Sequence, residues 1–203
     1  MSEIAGCQHT WDVLLIGGPS GTGKSSVSYP LARHFDMGIT EVDDLFIALE
    51  CLTTPEQQPE IHYWRTHPEA TELPAEKILE RQLALSRVMS PMITAVVNNH
   101  IETVMPIVLD GDYILPEIIA PPNNKQLLDA DRVQAVFLYE PDEQQIVKNF
   151  AQREPNEGTQ TKRAQVSWLF GQWLKNECEQ YGLIALPARP WDTLIPRINE
   201  AIS

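Results

Sequence analysis

The run Gly18-Pro19-Ser20-Gly21-Thr22-Gly23-Lys24-Ser25 holds the residue types needed to grip a polyphosphate. Glycines at 18, 21 and 23 let the backbone turn tightly and aim successive N–H groups at one anion. Lys24 brings an ammonium long enough to reach β- and γ-phosphates. Ser25 brings a hydroxyl able to ligate Mg²⁺. The pattern is G-x-x-x-x-G-K-[ST], and its flanks agree with it. An aliphatic run, Val13–Gly17, precedes the pattern and a helical pattern follows. A helix starting there adds about half a positive charge at its N-terminus. Residues Gly18 to Ser26 are therefore expected to bind the phosphates of a nucleoside triphosphate with Mg²⁺.

Carboxylates recur where further strands should end. Glu41-Val42-Asp43-Asp44 follows one apolar run. There Asp43 is placed to take the proton of an acceptor hydroxyl or to hold that hydroxyl in line. Asp44 suits a helix cap. Asp110-Gly111-Asp112 follows another run. Asp110 is placed to hold a metal-bound water or orient the acceptor, and Gly111 to let backbone approach a ligand. The choice of base between Asp43 and Asp112 stays open. Glu140 and Asp142 read as the start of the next helix.

Cations complete the set. Arg153, Lys162 and Arg163 flank the polar segment 154–161, which reads as a lid. Arg153 is the candidate for stabilising charge on a transferring phosphoryl group. Arg189, after the last strand, offers a guanidinium plane for a nucleobase. Arg65, between His62 and His67, can pair with an acidic or phosphorylated acceptor. The two histidines read as structural.

The elements that must position these groups are visible as short apolar runs: Val13–Gly17, Gly38–Val42, Ile107–Asp110, Val133–Tyr139 and Leu183–Leu186. Helical patterns lie between them, which predicts βαβ units around a parallel sheet. The first helix runs to about His34 and should kink at Pro30. A second pattern spans Ala75 to Thr103, with Val88, Met89, Met92, Ile93, Val96 and Val97 on one face. Pro91 should bend or break it. Pro141 suits the first turn of a helix ending near Arg153. Val166, Leu169, Phe170, Trp173, Leu174, Cys178 and Tyr181 stripe another, which Gly182 should cap. Asp192 should cap the last.

A chain of 203 residues with 43% hydrophobic content suits one domain with a packed core. Its net charge of -13 repels nucleic-acid backbones, so any phosphate site must be a local concentration of donors. The apolar runs are too short to span a bilayer, and Met1–Cys7 lacks the features of a secretory leader. Cys7, Cys51 and Cys178 have no metal-ligand spacing and read as reduced thiols of a cytoplasmic protein.

With these elements placed, the chain resembles the small P-loop kinases, a group that includes nucleoside monophosphate kinases, shikimate kinase and antibiotic phosphotransferases. Val42-Asp43-Asp44-Leu45-Phe46-Ile47-Ala48-Leu49 is similar to the segment carrying the catalytic Asp of chloramphenicol phosphotransferase. Ile107-Val108-Leu109-Asp110-Gly111-Asp112-Tyr113-Ile114-Leu115-Pro116 is similar to the strand-three motif of archaeal 2-phosphoglycerate kinases, which usually have Glu at the place of Asp110 and His at that of Tyr113. The resemblance implies a P-loop NTPase α/β fold with a five-stranded parallel sheet in order 2-3-1-4-5, an acceptor-binding helical region over about 44–105, and a lid over about 154–162. It implies a monomer or homodimer that uses ATP to phosphorylate a hydroxyl of a small molecule, a 2-phosphoglycerate-like acid among the choices. The competing expectation is an ATPase or nucleotide-dependent switch acting on a protein partner.

Overall fold

The computed structural model describes residues 10–120 and 126–203. Cys7 and the segment Met1–Cys7 lie outside the described residues. Strand β1 (Val13–Gly17) is apolar and buried along its whole length. It is the central strand, paired in parallel with β3 (Ile107–Gly111) on one side and β4 (Val133–Tyr139) on the other. A strand covered on both faces has no solvent side, so its side chains do not alternate in polarity. β2 (Gly38–Glu41) lies beyond β3 and β5 (Ile184–Pro187) beyond β4, giving the order β2-β3-β1-β4-β5.

Successive residues of β1 feed opposite cores. Leu14 and Ile16 join Val27 and Leu31 of α1 (Lys24–His34) and Leu194 and Ile198 of α7 (Leu194–Ala201). Val13 and Leu15 join Met89, Ile93 and Val97 of α4 (Ala75–Thr103) and Phe170 and Leu174 of α6 (Thr161–Tyr181). The expected apolar faces of α4 and α6 are thus the buried ones, although Tyr181 ends up exposed. Gly182 caps α6 in the left-handed conformation. Between β2 and α4 lie α2 (Val42–Leu52) and the short α3 (Tyr63–Thr66), and α5 (Glu143–Arg153) follows β4.

Several local expectations are corrected. Val42 opens α2 instead of ending β2, so Asp44 sits inside the first turn with no capping bond, and the cap position falls on Glu41. Pro91 does not break α4, which continues across it. Pro141 precedes α5; Asp142 is the cap, accepting a hydrogen bond from the Gln144 N–H at 2.9 Å. Asp192 lies in a 3₁₀ turn, Trp191–Thr193, and does not cap α7. Strand β5 is displaced by one residue, to Ile184–Pro187.

Candidate active site

The parallel sheet delivers the C-terminal ends of its strands to one edge, where ligands bind in doubly wound folds. Pairing sets Glu41 of β2 opposite Asp110 of β3, and Gly111 opposite Gly17 at the foot of the phosphate loop. The carboxylates from two strands therefore reach the level of that loop. Between them opens a cleft of about 800 Å³. Residues Ser20 to Ser26, Asp43, Asp110, Asp112, Arg153 and Arg189 all line it. Gly18 and Pro19 are buried beneath.

The loop holds its shape through its own atoms. The Pro19 carbonyl accepts from the Thr22 hydroxyl at 2.8 Å and from the Lys24 ammonium at 3.2 Å. Gly23 takes φ 79° and stands at the N-cap of α1. A Cβ there would lie 2.0 Å from Cη2 of Trp191, so only glycine fits between the loop and that ring. Asn149 of α5 donates from Nδ2 to the Gly21 carbonyl at 2.7 Å. Trp191 and Asn149 were not foreseen. An aromatic in the loop after the last strand was a faint signal for the first. A polar residue within an ordinary helix gives none for the second.

Lys24 is almost wholly buried and forms a short ion pair with Asp112. Burial alone would lower its pKa. Asp112 first, then Asp110 and Asp43, reverse that and hold it above the ordinary lysine value. Asp110 is buried, and one of its oxygens accepts from the Ser28 hydroxyl at 2.8 Å. Its other oxygen, Oδ1, is buried with no partner. Burial raises the Asp110 pKa, opposed by Lys24 and by the Ser28 hydroxyl. Asp43 faces the mouth of the cleft. Crowding by protein and then by Asp112 pushes its carboxyl up to about 6, against the pull of Lys24. Gly111 lines the cleft, but its missing side chain also makes room for Val42, whose Cβ would be 2.7 Å from an added methyl.

The cations are held in place. Arg153 and Arg163 both grip Glu154, at 2.6 Å each, and both lie over the Phe150 ring. The Gln160 amide first, then Arg153 and Arg163, drive the Glu154 carboxyl down to about 2. Arg189 pairs at 3.3 Å with Glu140, which is buried. Glu140 thus holds Arg189 at the cleft as well as accepting from the Asp142 N–H at 3.3 Å. Arg65 pairs with Glu50 at 3.6 Å and lies 3.1 Å from Nδ1 of His62. His62 is buried and 3.1 Å from the Thr53 hydroxyl, so its setting is structural.

A second cavity, about 630 Å³, opens beside the first. Trp64 of α3, Ile78 and Gln82 of α4, and residues Thr159 to Arg163, which lead into and open α6, contribute to its wall. Ser20 and Asp112 belong to both cavities.

No family model matches the chain, and no curated protein matches it. Solved structures do. A gluconokinase from Sinorhizobium meliloti is 15% identical, covers 95% of this chain and 91% of its own, and superposes with a TM-score of 0.51. A shikimate kinase from Acinetobacter baumannii, solved with shikimate, is 16% identical over 94% of each chain, with a TM-score of 0.50. This chain has the fold of the small P-loop kinases. At such identity the likeness extends to the fold, and function rests on the site itself. Among the described residues, no helix is long and apolar enough to cross a membrane.

Proposed function

We propose that this protein transfers the γ-phosphoryl group of ATP to a hydroxyl of a small molecule. The observation that carries the reading is the meeting of two cavities at Ser20 and Asp112. One has the phosphate loop for a floor. The other is walled by the 154–162 segment and by helices from the 44–105 region. A nucleotide-binding switch needs the first cavity and has no use for the second.

The residues fit Mg²⁺. Asp110 presents a buried oxygen without a partner, and the Ser25 hydroxyl stands at the cleft. A hard cation that keeps several waters and shares phosphate oxygens suits such a sparse donor set. Ser25 and, through water, Asp110 would hold it. When bound, Mg²⁺ neutralises charge on the phosphates.

The loop amides and Lys24 orient the donor. Phosphate oxygens take Lys24 from Asp112, which then accepts a hydrogen bond from a neighbouring hydroxyl of the acceptor and so aims the reacting hydroxyl at Asp43 and the phosphorus. Asp43, ionised at neutral pH, receives that hydroxyl's proton. The acceptor oxygen bonds to the γ-phosphorus as the bond from phosphorus to the β–γ bridging oxygen breaks, and ADP leaves. Arg153, passing from Glu154 to the equatorial oxygens, offsets the charge spread over them. Arg189, with Trp191 beside it, borders the nucleobase. The test is ADP release over a panel of small hydroxyl compounds with Mg-ATP. Acceptor-dependent release that disappears in Lys24→Ala supports the reading. Robust release that needs no acceptor refutes it in favour of an ATPase.

A further inference from the structure

The second cavity carries information about the acceptor, on the premise that phosphoryl transfer is the reaction. Its polar wall is made largely of neutral groups: Thr71, Gln82, Thr159, Gln160 and Ser167. Trp64 adds an aromatic face. The cavity holds two cations, and both are already engaged. Lys162 donates to Glu72 and to the Thr71 carbonyl, each at 3.1 Å. Arg163 donates to Glu154 at 2.6 Å and to Oε1 of Gln160 at 2.7 Å, with its guanidinium on Phe150. Two cations adjacent in sequence to the lining residues Trp64 and Gln82 are engaged too. Arg65 faces Glu50, and Arg81 lies over the Tyr63 ring with Glu60 at 3.8 Å. At the reacting end stand Asp43 and Asp112, opposite the incoming triphosphate.

An anionic acceptor would meet that negative end and would have to draw Lys162 or Arg163 from its carboxylate partner, as the more highly charged triphosphate does with Lys24 and Arg153. Taking a carboxylate or phosphate out of water without a free cation is costly. An uncharged molecule with many hydroxyls has no such cost. Amides and hydroxyls at several points can each exchange hydrogen bonds with it, and the C–H face of its ring can lie on Trp64. We infer that the acceptor is an uncharged polyol of sugar or cyclitol size, held by Gln82 and Trp64, with its reactive hydroxyl beside Asp112. This departs from the 2-phosphoglycerate-like acid among the sequence-based expectations.

The experiment compares matched acceptors with Mg-ATP in a coupled ADP-release assay: hexoses and inositols against the corresponding sugar acids and sugar phosphates, with 2-phosphoglycerate included. The inference expects a neutral compound to exceed its anionic counterpart in kcat/KM by about tenfold or more, the worth of one unpaired polar group. It also expects Gln82→Leu to raise the KM for that compound by about tenfold while the Kd for Mg-ATP is unchanged. Turnover of the sugar acids or phosphates at equal or higher efficiency overturns the neutral-acceptor inference alone and leaves the kinase reading standing. A Gln82→Leu enzyme with unaltered KM removes this cavity as the acceptor site. Tight Mg-ATP binding with no acceptor-dependent ADP release across the panel overturns the transfer reading and this inference with it.

Discussion

Replacing Asp112 with Asn should make the empty protein less stable and its grip on Mg-ATP tighter. Lys24 and Asp112 are 8% and 19% exposed, so their ion pair is poorly screened by solvent. A hydrogen bond to a charged group is worth about 1.5–3 kcal/mol. Lys24 keeps the Pro19 carbonyl at 3.2 Å and the fields of Asp110 and Asp43 after the change, so the lower end applies. Losing about 1.5 kcal/mol should lower the melting temperature by about 3–6 °C for a domain of this size. The same energy works in the opposite sense on binding. In the native protein the phosphates must displace Asp112 to reach Lys24. Without that competitor, the Kd for Mg-ATP should fall about tenfold. Titration calorimetry with Mg-ATP and thermal unfolding of the ligand-free protein read the two effects. If Asp112→Asn binds Mg-ATP as weakly as the native protein, or more weakly, the pair does not compete with the phosphates and the reasoning fails.

The Asp43 carboxyl, raised from 3.8 to about 6, holds a proton in the folded state that the unfolded chain has released. Its stabilising contribution is complete below about pH 4 and is lost as pH rises through about 6. Asp43→Asn should abolish that decline in a pH series of unfolding curves. It should also remove the limb of kcat/KM that rises with an apparent pKa near 6, together with most activity. Gly23→Ala puts a Cβ 2.0 Å from Trp191 at φ 79°, and should cost about 1–3 kcal/mol of stability in chemical denaturation. Adding Trp191→Ala should recover the steric part, leaving the backbone part. Asn149→Leu removes the bond to the Gly21 carbonyl, and its Kd for Mg-ATP should rise roughly 3–10-fold in calorimetry.

The phosphate loop, the strands β1 and β4, and the span of α4 were legible in the chain because they depend on neighbours in sequence. Glycine spacing, unbroken apolar runs and helical periodicity are properties of contiguous residues. So was the supply of carboxylates at the strand ends, since a parallel sheet must bring such ends to one edge. Which carboxylate touches which cation was decided by the tertiary structure. Lys24 meets Asp112 across 88 positions, and Asn149 reaches Gly21 across 128. Arg153 and Arg163 look like free lid cations until the fold gives them Glu154 in common. The caps went astray for a related reason: a helix start set by packing, such as Val42 filling the space at Gly111, overrides the residue with the better capping side chain. Ion pairing and cavity shape depend on distances in space, and only the folded chain has those distances.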